Sequence, residues 1–528
     1  MKKLVGILGH TGAAQQRLFQ LLAAVFDFRI EERRGEDLGG LDAVIVLDQA
    51  VQNVPEQLSS YSVWCDSKKT KFSGSHTVQF SNSSKLGPGF RGQLHITKEA
   101  AEANALEEQP AHEVLARIEG QPVWDVFEDR DIHRYRVSIP LPEMAPDQHL
   151  IEFLSGELFL KLLPLLHFLR STMQTESWTL PPLRASVIID DPNLHSVKYG
   201  RIDYRRLVER AQEQNFHIAM ATVPLDAWAV SPAAAKLFRE HRRWLSLMIH
   251  GNNHTHAELA QIIPQQQRLT IIAEALRRIE ELERRSGAKV LRIMVPPHGA
   301  CSEEFMMSML RFGFDACSAN VGPWLWRTHK SSDRPPSAGL QVSDIMAGGL
   351  PIISRYHFNS PTCPAKTAIA VFLGQAIVPY GHHGDLKESG DDSLAKSVAQ
   401  INALGDVRWM NLQEILETNF ASRVDGSSMR IRVFSRKVKL KVPEGIRQLV
   451  VEAPDFSRNV VRAIRASQGE ARTQVRPIGE PIVVEAGTEA EIQLEPAYLL
   501  DHRVRSGTAA VRFGLRRIAV ELRDRLTP

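Results

Sequence analysis

The stretch Val187-Ile188-Ile189-Asp190-Asp191-Pro192-Asn193 carries the first indication of the fold. Its apolar, β-branched half predicts a buried strand, and the Asp-Asp-Pro-Asn half ends that strand. Two adjacent carboxylates at a strand end suit hydrolytic chemistry, because one can ligate a metal while the other accepts a proton from water. Taken alone, the same residues also suit an ordinary turn or helix N-cap.

Outward from this stretch, strand-like and helix-like segments alternate between residues 184 and 420. Further strands are expected at 217–222, 245–249, 290–295 and 376–378, and helices at 201–214 and 269–285. Such alternation predicts a parallel, barrel-like α/β domain. In that architecture functional side chains gather at the carboxyl ends of the strands, so polar clusters placed there are candidates for a site.

The second polar cluster is His250-Gly251-Asn252-Asn253-His254-Thr255-His256, directly after an expected strand. Histidines spaced four apart project to one side of a helical turn and can chelate a divalent metal. Three histidines within seven residues are hard to explain as core packing. His250 and His254 are therefore the expected ligands, and surface histidines are the alternative.

Two later clusters also follow expected strands. Pro296-Pro297-His298-Gly299 predicts a rigid loop that can present a backbone N–H to an oxyanion, with an ordinary Pro/Gly turn as the alternative. His382-His383 follows Pro379-Tyr380-Gly381 and offers a general acid, with structural histidines as the alternative. The doublet leaves open which of the two histidines points inward.

In this order, the four clusters resemble the motifs of the polysaccharide deacetylases, the family-four carbohydrate esterases, over residues 184–420 only. The resemblance implies a distorted (β/α) barrel and a metal-dependent amide or ester hydrolase. It implies Asp190 as the catalytic base and His382, or less readily His383, as the acid. The implied metal ligands are Asp191, His250 and His254, and the residues expected to contact substrate or oxyanion are Pro297, His298 and Asn193.

The sequence departs from the family pattern at three points. Val295 stands where the family usually carries the arginine that orients the base, and His298 replaces a usual tyrosine. Asp385 or Asp406 is expected to replace the aspartate that tunes the acid histidine.

The expected reaction is deacetylation of an N- or O-acylated sugar or related small molecule by metal-activated water. Zinc is the expected ion, with cobalt, nickel or manganese as alternatives. Because the arginine is missing, the first alternative is a catalytically inactive carbohydrate-binding or scaffold protein on the same fold.

The flanking regions predict separate domains. Residues 1–120 predict a small α/β domain of flavodoxin or Rossmann type, residues 121–183 a connecting strand and helix region, and residues 425–528 an antiparallel β-sandwich. Gly6, Gly9 and Gly12 form a turn after the first strand, and Glu31 or Glu32 follows about 20 residues on. This loosely resembles a dinucleotide-binding turn, so an NAD(P)-linked enzyme is the second alternative, against a structural α/β module.

Net charge, cysteine spacing and the length of apolar runs argue against several classes of partner and location. A net charge of +3 over 528 residues gives no electrostatic case for nucleic-acid binding. The four cysteines include no CxxC pair, which argues against a zinc knuckle or a dense disulfide framework. The first apolar run breaks at Gly9 and His10, and no later run predicts a membrane span. The expectation is a cytoplasmic protein with a cytosolic substrate, and the oligomeric state is not predicted.

Overall fold

The protein folds into two compact units, seen here in a computed structural model. The N-terminal unit comprises Met1–Trp178, Ser332–Leu340 and Pro364–Leu373, and the barrel unit comprises Thr179–Ser331, Gln341–Cys363 and Gly374–Pro528. The structure describes residues 2–33, 38–47, 54–64, 72, 74–99, 103–146, 148–154, 156–173, 178–319, 338–346, 349–386, 392–453, 461–468, 472–496 and 499–502.

The N-terminal unit is built on a nine-stranded mixed sheet with the order β2-β1-β3-β4-β9-β8-β7-β5-β6. Its strands are β1 (Leu4–Leu8), β2 (Arg29–Arg33), β3 (Ala43–Val46), β4 (Ser59–Val63), β5 (His76–Phe80), β6 (Leu94–Thr97), β7 (Glu113–Ile118), β8 (Gln121–Asp129) and β9 (Ile132–Val137). Neighbours from β2 to β9 pair in parallel, and the remaining pairs are antiparallel. Strands β8 and β9, which the sequence placed in a connecting region, lie at the centre of this sheet.

Helices cover this sheet with apolar faces. They are α1 (Ala13–Phe26), α2 (Leu163–Met173) and α7 (Cys363–Leu373), with a 3-10 turn at Leu150–Leu154. Helix α1 buries Leu18, Phe19 and Leu22, which follow helical spacing. Trp124 of β8 is fully buried, so the sheet and helices share one apolar core.

The central fold class predicted from the sequence is confirmed: eight parallel strands form a nearly closed barrel. Their order is β19-β17-β16-β15-β14-β11-β21-β20, and β18 pairs antiparallel on the outside of β19. These strands are β11 (Val187–Asp190), β14 (Ile218–Thr222), β15 (Leu245–His250), β16 (Val290–Val295), β17 (Ala316–Ala319), β18 (Asp344–Met346), β19 (Leu350–Ser354), β20 (Tyr356–His357) and β21 (Pro379–His382). Short pairs outside the barrel sheet join β10 (Arg184–Ala185) to β22 (Arg408–Trp409) and β12 (Lys198–Tyr199) to β13 (Ile202–Asp203).

The barrel nearly closes because its two edge strands are consecutive in the chain. Only Arg355 separates β19 from β20, so the chain passes at this residue from one edge of the sheet to the other. The N–H of Arg355 donates to the carbonyl of Ala319 in β17, and the N–H of Tyr356 donates to the carbonyl of Val378. Arg355 therefore lies at the seam of the barrel.

Alternation along the strands decides which side chains fill the barrel. Successive residues of a strand face opposite sides, so Ile188 and Asp190 share the inner face of β11. The apolar interior contains Ile188, Ala219, Ala221, Met248, Ile293, Val295, Ile353 and Val378, together with Leu412, Ile415 and Leu416. The helices of the barrel unit are α3 (Tyr204–Glu213), α4 (Pro232–Glu240), α5 (Gln265–Ser286), α6 (Glu303–Arg311), α8 (Ser393–Asn402) and α9 (Leu412–Glu417).

The C-terminal part of the barrel unit is a two-sheet β-sandwich, as predicted. One sheet has the order β23-β24-β26-β29 and the other β25-β30-β27-β28. Its strands are β23 (Phe420–Asp425), β24 (Ser428–Val433), β25 (Lys437–Lys441), β26 (Gln448–Glu452), β27 (Val461–Gln468), β28 (Arg472–Arg476), β29 (Pro481–Val483) and β30 (Glu489–Pro496). Strands β24 and β26 pair in parallel, while the other pairs are antiparallel as expected.

Within the described parts of the chain, no helix is both long enough and apolar enough to cross a membrane.

Candidate metal centre

The three side chains predicted as metal ligands meet at the carboxyl end of the barrel strands. Asp191 follows β11, His250 is the last residue of β15, and His254 lies in the loop after it. Nε2 of His250 lies 3.3 Å and Nε2 of His254 lies 3.1 Å from Oδ1 of Asp191. One ligand atom from each residue lies within 4.8 Å of the others. A carboxylate and two imidazoles at one point form a donor set that suits zinc.

The backbone carbonyl of Val295 decides which nitrogen of His250 faces Asp191. Nδ1 of His250 lies 2.9 Å from this carbonyl oxygen, which can only accept, so Nδ1 of the ring donates. In a neutral ring Nε2 then directs a lone pair at Oδ1 of Asp191, a buried atom without a hydrogen-bond partner. A lone pair and a carboxylate oxygen repel each other unless a cation lies between them. The residues therefore fit a divalent metal.

The electrostatics of the site keep Asp191 in the form that ligates metals. Burial alone would raise the pKa of Asp191, but His250 and His254 hold that pKa well below its usual range. Burial acts to lower the pKa of His250, whereas the charges of Asp190 and Asp191 raise it above its ordinary value. These carboxylates attract a proton to the ring in the absence of metal, and a bound divalent cation would displace that proton. Asp191 is consequently an ionised carboxylate, as a metal ligand must be.

Asp190 is held by an arginine that the sequence analysis did not identify. Nη1 of Arg355 lies 2.8 Å from both carboxylate oxygens of Asp190, and both side chains are buried. The guanidinium carbon of Arg355 also lies 4.1 Å from the ring centroid of Tyr380. Val295 lies on the inner face of β16 and is apolar, so it offers Asp190 no positive charge. Arg355 supplies a guanidinium to Asp190 from the barrel seam instead.

The two histidines of the doublet face different surroundings. His382 shares a face of β21 with Tyr380, which packs against the barrel interior. The ring of His383 lies 5.3 Å from the ring of Tyr199, and a Cβ placed on Gly200 would lie 2.3 Å from its Nδ1. His382 is therefore the histidine on the inner face, and His383 packs against the β12–β13 hairpin.

Asp385 connects His382 to a further histidine. The Asp385 carboxylate accepts the backbone N–H of His382 at 2.7 Å, and its Oδ2 lies 3.6 Å from Nδ1 of His382. Nε2 of His357 lies 3.2 Å from the same oxygen, and the Asn359 amide donates to Oδ1 at 2.9 Å. Burial acts to raise the pKa of Asp385, but the His382 N–H and the charges of His357 and His382 lower it overall. Of the two aspartates weighed for this position, Asp385 contacts the inner histidine.

Asp406 lies elsewhere. It precedes β22, and β22 pairs with β10, which comes before the start of the barrel strand β11. This places Asp406 towards the amino ends of the strands, at the end of the barrel opposite to His382.

The remaining predicted site residues lie in the surrounding loops. The ring of His298 is exposed, and its centroid lies 5.4 Å from that of His254 and 4.9 Å from that of His256. Burial lowers the pKa of His298, and the neighbouring histidines lower it further. Pro297 is buried against Gly251, while Asn193 is buried and its Oδ1 accepts the N–H of His195 at 3.1 Å. Roles of these three residues towards substrate remain predictions.

Three of the site residues adopt backbone conformations that L-residues rarely use. The φ angles of Asp191, His254 and His298 are 78°, 54° and 57°. A positive φ in a residue other than glycine costs of order 1 kcal/mol and persists only where the surroundings enforce it. Its occurrence at two predicted ligands and a neighbouring histidine marks these loops as tightly specified.

The sequence did contain a signal for the residues that were missed. The run Leu350-Pro351-Ile352-Ile353-Ser354 is apolar, and Arg355, Tyr356 and His357 follow it directly. This is the same pattern of an apolar strand ending in polar residues that identified Asp190. Its contact with Asp190, 165 positions away, depends on barrel closure, which no local pattern reports.

The N-terminal glycine turn has internal contacts that account for its composition. A Cβ on Gly6 would lie 2.5 Å from Cδ1 of Leu41, so packing requires the glycine. The Glu32 carboxylate accepts hydrogen bonds from the Thr11 hydroxyl and, at 3.1 Å, from the Gln16 amide. These contacts favour the structural interpretation of the turn, and NAD(P) binding remains a prediction.

Sequence comparisons and structural comparisons give different outcomes. No protein-family profile matches the chain, and no curated protein matches it in sequence. Solved structures do match. One is Agd3, described as a novel carbohydrate deacetylase, at 9% identity and a TM-score of 0.46, covering 94% of this chain and 99% of that one.

Two further structures match the chain over less than half of its length. A putative polysaccharide deacetylase from Mycobacterium smegmatis has 14% identity and a TM-score of 0.32, covering 46% of this chain and 93% of that one. BA3943 from Bacillus anthracis, described as a CE4 family pseudoenzyme, has 11% identity and a TM-score of 0.26, covering 45% and 73%. At these identities and TM-scores the likeness assigns no substrate and no catalytic residue to this chain.

Proposed function

We propose that this protein is a metal-dependent hydrolase that removes an acyl group from an N- or O-acylated sugar. The observation that carries the proposal is the convergence of Asp191, His250 and His254 within 4.8 Å, beside the buried Asp190–Arg355 pair. A carboxylate and two histidines can bind a metal that activates water, and a second carboxylate beside them can act as the general base. Together these groups suit hydrolysis.

Each residue has a separate task in the proposed reaction. A divalent cation held by Asp191, His250 and His254, with zinc as the expected ion, would lower the pKa of a bound water and polarise an acyl carbonyl. Asp190 takes the proton from the attacking water. Arg355 fixes the orientation of the Asp190 carboxylate, which still has lone pairs free to accept that proton.

His382 is the proposed acid for the leaving amine or alcohol. Its position on the inner face of β21 directs it to the same end of the barrel as Asp190, since the two residues are register partners in adjacent strands. Asp385 lies on the Nδ1 side of the ring, which leaves Nε2 to donate to the leaving group. Pro297 and His298 are proposed to line the substrate mouth.

An exposed tryptophan at the same end of the barrel supports a carbohydrate substrate. Trp228 is 57% exposed, and its ring packs edge-on against His195 at 4.6 Å. It ends a 3-10 turn after β14 whose Leu225 N–H donates to the carbonyl of Asn252 at 3.0 Å. The turn thus contacts the loop that carries His254 through Leu225, and the Trp228 ring contacts His195 in the loop that follows Asp191. The exposed apolar face of the indole suits stacking on the C–H face of a sugar ring.

The alternative of a catalytically inactive protein depended on the absence of an arginine at position 295. The structure provides another arginine for Asp190. Arg355 contacts both oxygens of Asp190, the proposed base, so this carboxylate has an arginine partner although position 295 is a valine. A cytoplasmic location and a cytosolic substrate stay predictions.

The proposal is tested by acetate release from a panel of N-acetylated and O-acetylated oligosaccharides. The zinc-loaded wild type should release acetate from at least one, and Asp190→Asn should lower kcat by roughly 10²–10⁴-fold because it removes the general base. Asn is close in size and can still accept from Arg355, so the fold and bound metal should persist. Zinc-loaded wild type that hydrolyses no acylated sugar would favour the inactive alternative.

A further inference from the structure

The loop that carries His254 wraps around a buried carboxylate, Glu258, which is 3% exposed. Oε1 of Glu258 accepts the backbone N–H groups of Asn252 at 2.5 Å, Asn253 at 3.2 Å and His254 at 3.3 Å. Oε2 accepts the Asn253 N–H at 3.1 Å and the Thr255 hydroxyl at 3.3 Å. Three successive backbone N–H groups that converge on one anion form a nest, and here the anion belongs to the chain itself.

A second layer holds the same loop from the outside. The Arg278 guanidinium donates to Oδ1 of Asn252 at 2.7 Å and to Oδ1 of Asn253 at 2.8 Å. Glu274 accepts from Arg278 at 2.9 Å and from the Asn252 amide at 3.1 Å. Asn252 is completely buried, so these contacts are shielded from water and are correspondingly strong. The polar groups of the loop therefore have partners on both sides.

These contacts explain how His254 keeps a left-handed backbone conformation, which is unfavourable for a residue with a Cβ atom. Its φ of 54° lies in the left-handed region, and Gly251 at the start of the loop has a φ of 63°. A Cβ on Gly251 would lie 2.3 Å from Oε1 of Glu258, so the glycine is also what lets the carboxylate approach the backbone. This backbone geometry is what turns Nε2 of His254 to within 3.1 Å of Asp191.

We propose that Glu258 is a positioning residue for the metal centre: its carboxylate shapes the Gly251–His254 loop and thereby sets the metal affinity of His254. The proposal rests on the metal-dependent function proposed above. Glu258 does not ligate the metal or touch substrate. It acts through the backbone of a ligand, and such supporting partners typically contribute 10- to 100-fold to metal affinity.

The test compares Glu258→Gln and Glu258→Ala with Glu281→Gln, which removes a partly exposed carboxylate on α5 that pairs with Arg284 and Arg285. Zinc dissociation constants are measured by chelator competition on the full-length protein. Glu258→Ala should weaken zinc binding 10- to 100-fold. Glu258→Gln keeps one acceptor oxygen and should show a smaller loss, and Glu281→Gln should stay within about 2-fold of wild type. Hydrogen exchange of the 252–254 amides in metal-free protein should accelerate in Glu258→Ala, less so in Glu258→Gln, and not in Glu281→Gln.

The outcomes separate this proposal from the function on which it rests. Wild-type zinc affinity in a folded Glu258→Ala or Glu258→Gln variant would overturn the positioning role, even if the wild type hydrolyses acylated sugars. A wild type that binds zinc but hydrolyses none would contradict the function and leave the affinity comparison intact. A lower melting temperature with unchanged zinc affinity would mean a purely structural role and would also overturn the proposal.

Discussion

At the scale of single residues, Asp190 and Asp191 are adjacent in the chain but meet different partners. Asp190 lies on the inner face of β11 and is bound by Arg355, whereas Asp191 leaves the strand with a positive φ and meets two imidazoles. An Asp-Asp pair at a strand end can therefore divide base and ligand between its members, because successive residues point to opposite sides.

Replacing Arg355 by lysine should distinguish the effect of orienting the Asp190 carboxylate from the effect of a positive charge beside it. Lysine keeps a positive charge but loses the planar guanidinium that reaches both oxygens of Asp190. We expect kcat to fall about 10-fold, with KM changed by less than about 3-fold and zinc still bound. Steady-state kinetics with metal analysis would check this. Unchanged kcat would show that Arg355 serves packing alone. Arg355→Ala is less informative, because an unpaired buried Asp190 costs about 3–5 kcal/mol.

His217 should make the barrel sensitive to acid. The side chain is buried at the start of β14 beside the Ser186 hydroxyl at 2.9 Å, and burial lowers its pKa to about 3. Between pH 6.5 and pH 3 the unfolded chain binds this proton and the folded chain does not. Stability must therefore fall as the pH drops through this window, by at most about 1.4 kcal/mol per pH unit from this residue.

Urea unfolding at several pH values tests this expectation. His217→Gln should flatten the acid slope relative to wild type, while replacement of the exposed His10 by glutamine should not. Equal slopes for wild type and His217→Gln between pH 3 and pH 6.5 would show that other groups dominate acid unfolding.

At the scale of elements, the His254 loop depends on glycine at its first position. Gly251 has a positive φ, and an added Cβ would meet Glu258 at 2.3 Å and Pro297 at 2.5 Å. Gly426, in the β23–β24 turn, has a φ of 59° with nothing within 4 Å of an added Cβ. Both alanine substitutions carry the conformational cost of about 1 kcal/mol, but only Gly251→Ala adds steric overlap.

Gly251→Ala should therefore destabilise the protein by at least about 2 kcal/mol more than Gly426→Ala. It should also weaken zinc binding, because the alanine displaces the loop that carries His254. Chemical denaturation and zinc titration of both variants give the two readings. Equal unfolding free energies for the pair would show that the loop accommodates the methyl group without strain.

Elements whose signal is local could be predicted from the sequence. Strands β15 and β16 lie within one residue of their predicted bounds, because apolar spacing acts over a few positions. The last barrel strand begins at Pro379 rather than Ala376, although Ile377 forms an isolated bridge to Ala185. Strand β19 was not predicted. No predicted helix flanks its five residues, so the alternation of strands and helices did not indicate it. Its role in closing the barrel follows from its pairing with β17, which is a tertiary contact.

The residues of the candidate site also fall into two groups, those that the local sequence predicts and those that it does not. Asp190, Asp191, His250 and His254 stand out because each follows a strong strand signal, and the structure brings them together. Arg355 also follows an apolar run, but its contact with Asp190 across the seam is not visible in the sequence. Glu258 acts through backbone N–H groups, which carry no sequence signature. Residues that support a site from long range or through the backbone are thus the part that local reasoning misses.

At the scale of the whole molecule, the barrel and the β-sandwich, which were predicted as separate domains, belong to one compact unit. The sandwich is continuous with the barrel through α9, since the Ser435 hydroxyl donates to the carbonyl of Leu416 at 2.7 Å and Lys439 pairs with Glu417 at 2.9 Å. In the N-terminal unit, strands from residue 4 to residue 137 form one sheet. Strand order is a global property, so the composition of single segments could not predict it.

The proposed function requires that Asp191, His250 and His254 hold one catalytic divalent metal. Elemental analysis of the purified full-length protein, repeated on His254→Ala, tests it most directly. We predict about one zinc, cobalt, nickel or manganese ion per wild-type chain and a loss of most of it in His254→Ala, with the variant still folded. A correctly folded wild type that retains no divalent metal, even after incubation with zinc and removal of the excess, would contradict a metal centre at these three residues.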